Sequence, residues 1–106
     1  LQNAESTVEF EWDDDKREAT IEKHGIDFQD AITMFAGVVL SIDLGDSHGE
    51  PRVMHVGMLE GREIVVVTTP RGGRLRVINA RRARINERRA YHAYDAGRGA
   101  ANQRPH

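Results

Sequence analysis

Polar and apolar residues alternate from Val8 to Trp12, which reads as a short extended segment. Asp13 follows as a helix N-cap, with Asp14 and Asp15 in the first turn, where negative charge suits the helix dipole. This helix runs to about Lys23 or His24, and Gly25 is its natural stop. Asp27 caps a second helix ending near Phe35, with Phe28, Ile32 and Phe35 on one face and Gly37 beyond it. Four strands are expected next, over residues 38–44, 52–59, 63–69 and 74–79. The run Ile64-Val65-Val66-Val67 marks the third of them as central and buried. The turns at Glu60-Gly61 and Pro70-Arg71-Gly72-Gly73 are too short for parallel crossovers, so the strands form an antiparallel meander. A last helix over residues 83–94 carries Ile85, Tyr91 and Tyr94.

The pattern therefore predicts an α+β domain: two N-terminal helices, a four-stranded antiparallel sheet with the helices on one face, and a C-terminal helix. Residues 1–7 read as a flexible N-terminus, 8–95 as one domain and 96–106 as a disordered tail. With 106 residues there is room for one core. No apolar run approaches the ~20 residues needed to span a bilayer, and the acidic start does not read as a signal peptide. The absence of cysteine excludes disulfides and thiolate metal sites, and cytoplasmic residence fits it.

Charge changes this picture. The net charge of −2 conceals a division: residues 1–50 hold 3 basic and 13 acidic side chains, residues 51–106 hold 12 and 4. All twelve basic residues of the second half are Arg, whose planar fork matches phosphate bidentately. A basic surface for nucleic acid is one reading. The other is that the halves neutralise each other within the fold, or that the Arg-rich face meets an acidic protein. In the last strand, Leu75 and Val77 facing the core would turn Arg74 and Arg76 outward. Arg52 joins them from a strand whose weak alternation does not fix its face.

Phe10-Glu11-Trp12-Asp13, Lys16, then Lys23-His24-Gly25-Ile26 and Phe28 resemble the N-terminal signature of BrnT-type toxins. Thr69, Arg71, Ala80-Arg81-Arg82-Ala83, Glu87-Arg88-Arg89 and Tyr91 resemble the second half of that pattern. Thr20 stands where the family usually has Asn, and Asn79 where it usually has Ser. The resemblance implies a RelE-like fold and a type II toxin–antitoxin system. It implies a metal-independent endoribonuclease that blocks translation and a BrnA-like antitoxin that neutralises it. Operator DNA would be bound through that antitoxin.

Metal-free RNA cleavage needs a base for the 2′-hydroxyl, cations for the phosphorane and an acid for the departing 5′-oxygen. Arg52, Arg76 and Arg81 are the candidate cations, and His24 and Glu50 the candidate proton-transfer groups. Lys16, Lys23, Arg71, Arg74 and Arg82 are the candidate RNA contacts, and neither a metal nor a cofactor is expected. Each has a structural alternative. His24 precedes a helix stop, where a cation suits the dipole. Glu87 can pair within its own helix region. Trp12, Phe10, Tyr91 and Tyr94 suit packing better than base stacking. Arg81 and Arg82 open the last helix region, where cations oppose the dipole, so function or a partner explains at least one of them better than helix stability does. His48 and His55 lack the spacing and carboxylate partners of a zinc site, and Gly72-Gly73 lacks the context of a phosphate loop. A non-catalytic nucleic-acid-binding or antitoxin-docking module remains the alternative.

Overall fold

The computed structural model describes residues 8–46 and 48–103. Residues 1–7, expected to be flexible, lie outside the described residues, as does the end of the expected tail, 104–106. The element order is β1 (Phe10–Glu11), α1 (Asp14–His24), α2 (Phe28–Ala31) leading into a 3-10 segment (Ile32–Ala36), β2 (Leu40–Gly45), β3 (Arg52–Leu59), β4 (Arg62–Arg71), β5 (Arg74–Arg82) and α3 (Ile85–Gln103).

The α+β expectation holds, but the sheet has five strands and is mixed, in the order β1-β5-β4-β3-β2. The meander β2–β5 is antiparallel as expected. The added strand is the Val8–Trp12 alternation, which pairs parallel with β5 through Phe10↔Leu75 and Glu11↔Arg76. Its partner lies 65 residues away, beyond the reach of local periodicity. What ties it there is partly electrostatic: Glu9 and Glu11 meet Arg74 and Arg76 at 3.0 Å.

The first helix runs as expected, and the other two differ in length from expectation. Asp13 caps α1, and Gly25 ends it at φ 70°, its N–H donating to the Ile21 carbonyl. Asp27 caps α2, but that helix keeps only four residues before tightening into the 3-10 segment. β-branched Ile32 and Thr33 lower helix propensity there, and the Thr33 hydroxyl donates to the Asp30 carbonyl, a local bond that competes with the ladder. Asp27 also accepts two hydrogen bonds at 2.8 Å from Arg17, clamping α1 to α2. That pairing holds its carboxyl at about 2, below the ordinary carboxylate value. α3 begins later than expected and continues to Gln103, so the tail expected from residue 96 is helical as far as 103. Once nucleated, a helix gains one bond per added residue. Ala93 and Ala96 favour this, and Gly97 opposes it by only about 1 kcal/mol.

Both hairpin turns are two residues long. Glu60 and Gly61 take φ 52° and 81°, and Gly72 and Gly73 take 60° and 82°. Paired positive φ matches the right-handed strand twist. It lets Pro70 and Arg71 remain in β4, whereas the sequence suggested a four-residue turn.

The helices do not share one face of the sheet, as had been expected. On one face, Ile64, Val66, Val77 and Ala80 pack against Ile26, Phe28, Ala31 and Met34. On the other, Val56 and Val65 pack against Ala83 and Tyr91. β4 is thus buried on both sides, as its unbroken apolar run implied. Phe10 and Trp12 pack on the first core, beside Phe35 and Phe28, so both are structural aromatics. The Tyr91 hydroxyl donates to the Val38 carbonyl under the sheet, whereas Tyr94 is exposed, contrary to its expected packing role.

His55 belongs to this framework. It is 8% exposed, its ring lies edge-on to Phe35, and its nitrogens meet the Ser41 hydroxyl at 2.7 Å and the Thr68 hydroxyl at 2.9 Å. Burial lowers its pKa below the ordinary 6.5. The unfolded chain therefore takes up this proton first as the pH falls. Its contribution to stability is complete above about 6.5 and shrinks as pH drops through that value. We expect the urea midpoint to fall between pH 8 and pH 5, and less so in His55→Gln, whose amide can still meet both hydroxyls. Equal pH slopes in the two proteins would refute this assignment.

Candidate nucleic-acid interface

An irregularity in β5 assembles the site. Thr68 pairs with Val77 and Val67 with Asn79, leaving Ile78 as an extra residue. In a regular strand, Arg76 and Arg81 are an odd number apart and would face opposite sides. The bulge restores them to one side. Arg76 opposes Thr69 and Arg81 opposes Val65, so both share the face of Val65, Val67 and Thr69. Arg52 lies one position beyond the Val53↔Thr68 pair, which places it on that same face.

Tyr91 of α3 packs on one end of this face, and the other end is a groove. A cavity of about 180 Å³ is lined by Lys16, Leu44, Gly45, His48, Arg52, Val67, Ile78 and Asn79. A second, of about 460 Å³, shares Lys16, Ile78 and Asn79 and continues along Thr20, Lys23, His24, Arg81 and Arg84. Basic side chains thus come from α1, β3, β5 and the approach to α3. Among the described residues, neither lining contains an Asp or Glu, although the chain carries 17 acids.

The acids stand behind the groove and hold its arginines. Glu87 takes Arg81 in a fork with both contacts at 2.8 Å. The side chains are 16% and 10% exposed. Glu87 also accepts the Arg84 backbone N–H at 2.7 Å, capping the start of α3. These contacts, the Arg81 fork foremost, bring the Glu87 carboxyl to about 2. Glu50 is shared, meeting Arg52 at 3.3 Å and Arg71 at 3.6 Å. Two cations thus share one acid, so positive charge remains.

Two buried polar atoms lack a protein partner among the described residues: Nε of Arg52 and Oγ1 of Thr69. Each such group costs ~1–3 kcal/mol when left unsatisfied. Asn79 and His24 make no side-chain hydrogen bond among the described residues, and both line the groove. Gly25, not the His24 ring, supplies the α1 cap.

Of the candidate residues, the structure brings Lys16, Lys23, His24, Arg52 and Arg81 together. Arg76 shares their face but is turned to Glu11. Arg74 is exposed at the β1 edge with Glu9 and Glu11. Arg71 sits at the end of β4, reaching only Glu50 among the described residues. Arg82 opposes Ile64 and therefore faces the other side, where it lines a separate cavity with Arg62 and His24. Asn79, Thr20, His48 and Arg84 were missed as site residues. A short-range pattern gives no sign of them, since the bulge and the placement of α1 against β5 bring them in. Among the described residues, no cluster of three or more His, Cys, Asp or Glu could hold a metal ion. No helix is long and apolar enough to cross a membrane among those residues.

A family model described as the ribonuclease toxin BrnT of type II toxin–antitoxin systems matches residues 12–87. No curated protein matches the chain.

Proposed function

The chain belongs to the BrnT family of ribonuclease toxins of type II toxin–antitoxin systems, and from that premise we propose that the acid-free basic groove is its RNA-cleaving site. The observation that carries this reading is the lining itself: Lys16, Lys23, Arg52, Arg81 and Arg84 converge with no acid among the described lining residues, in a chain of net charge −2. Such a groove attracts a phosphate backbone.

The reaction is endonucleolytic and needs no metal. The 2′-oxygen attacks phosphorus, the bond from phosphorus to the 5′-oxygen breaks, and the products carry a 2′,3′-cyclic phosphate and a 5′-hydroxyl. One proton leaves the 2′-hydroxyl and one reaches the 5′-oxygen. Arg52 and Arg81 neutralise charge on the phosphorane. Lys16, Lys23 and Arg84 hold neighbouring phosphates. His24, on the groove wall, is the group placed to move a proton. Glu50 acts through Arg52, as a positioning residue. Arg71, Arg74, Arg76 and Arg82 serve the approach of RNA or a protein partner, since their partners or positions turn them from the groove. Cleavage blocks translation in the cytoplasm. A BrnA-like antitoxin neutralises the protein by contact and carries the complex to operator DNA.

The pairing of Arg76 and Arg81 with acids also suits a module that binds RNA without cutting it. Incubating the purified chain with single-stranded RNA in EDTA separates the readings. We expect cleavage to persist and to leave 5′-hydroxyl ends. Intact RNA, shifted in a gel with an affinity falling ~0.7 decades per decade of salt for each phosphate held, would establish the binding-only reading instead.

A further inference from the structure

We infer that Thr69 and Arg52 form an anion subsite for a phosphate oxygen, with the Thr69 hydroxyl and the Arg52 Nε–H as its two donors. The inference rests on the ribonuclease reading only for the source of the phosphate. The site itself rests on the orphaned atoms.

Thr69 is 1% exposed and its hydroxyl has no protein partner among the described residues. Threonine inside a sheet core is ordinarily replaceable by valine, which fills the same space without a hydroxyl to satisfy. Thr68, its neighbour on the opposite face, shows the usual solution, since its hydroxyl meets His55. Thr69 stands in a cross-strand row between two arginines: Arg76 is its register partner on β5, and Arg52 occupies the position beyond Val53↔Thr68 on β3. Arg52 points one terminal nitrogen at Glu50, at 3.3 Å, and leaves its Nε–H buried without an acceptor among the described residues. Nε–H can only donate, and the hydroxyl can donate. Two donors on adjacent strands, flanked by guanidinium charge, call for an anionic oxygen. Arg52 and Val67, which is two residues before Thr69 on the same face, line the 180 Å³ cavity through which that oxygen would arrive.

The test pairs Thr69→Val with Thr69→Ser, and uses inorganic phosphate at constant ionic strength as the probe. The readouts are the Arg52 Nε–H resonance and the RNA cleavage rate. Valine removes no protein hydrogen bond, so the melting temperature should hold or rise. We expect phosphate to move the Nε–H signal in the parent and in Thr69→Ser. In Thr69→Val the apparent affinity should be about fivefold weaker, and cleavage about tenfold slower. Parent-like phosphate binding in Thr69→Val would overturn the subsite, as would a parent Nε–H signal that ignores phosphate, whatever happens to RNA. If that signal responds as expected but the parent cuts no RNA, the subsite stands and the ribonuclease reading fails.

Discussion

Arg52→Ala should slow RNA cleavage by about 10²–10³-fold while leaving the melting temperature close to that of the parent. Of the two arginines placed on the phosphorane, Arg52 is the one whose charge is less committed. Its contact with Glu50 is 3.3 Å, and Glu50 also faces Arg71. The side chain is 29% exposed, so its ion pair is partly solvated and adds little to stability. A preorganised donor fork aimed at a phosphorane, however, is worth far more than a surface ion pair. Arg52→Lys keeps the charge and loses the fork, so it should recover only part of the rate. Rates measured with EDTA, beside thermal melts of the same preparations, decide the matter. An Arg52→Ala protein that melts like the parent and cleaves within about threefold of it would remove Arg52 from the reaction.

Glu87→Ala should destabilise the fold by about 3–5 kcal/mol, the range found when one member of a buried ion pair is removed. The substitution strands the Arg81 guanidinium, which is 16% exposed, and also uncaps the Arg84 N–H at the start of α3. Arg81→Ala should cost less, because Glu87 would keep that N–H and the positive end of the helix dipole. Urea denaturation of both variants tests the order, and a larger loss in Arg81→Ala would refute it. The pH dependence follows in sign. Folding lowers the Glu87 carboxyl from 4.5 to about 2, so its contribution is full above about 4.5 and disappears as pH falls toward 2. Asp27, lowered to about 2 by Arg17 and its capping bond, adds to the same acid window. Lost cleavage in Arg81→Ala is therefore ambiguous unless the melt is measured as well, whereas Arg52 gives a cleaner reading.

The caps at Asp13 and Asp27, the stop at Gly25 and the buried run Ile64–Val66 were legible along the chain. Each depends on interactions within a few residues. The same holds for the β3 bounds and the Glu60-Gly61 hairpin, since turn chemistry fixes register locally, whereas the second turn proved two residues long rather than four. The two motif groups that resemble the BrnT pattern fall largely within the matched residues 12–87. What was not legible depends on distance or parity. β1 joins the sheet through residues 65 positions away, and the Glu9 and Glu11 charges that hold it there could only be counted, not paired, in the sequence.

The arginine segment shows the division most clearly. Composition alone established that the second half carries its positive charge as arginine, and strand alternation turned Arg76 away from the core. Alternation also counts Arg81 onto the face opposite Arg76, and only the extra residue Ile78 reverses that count. The bulge forms because β4 pairs with both halves of β5 on either side of it, a non-local condition invisible to a period of two. The tertiary structure then decided which cations are committed. Glu11 and Glu87 hold Arg76 and Arg81, while Lys16 and Lys23 cross from α1 to complete a groove without acids. Charge type is written in the sequence, but pairing depends on which side chains the fold brings within a few ångströms.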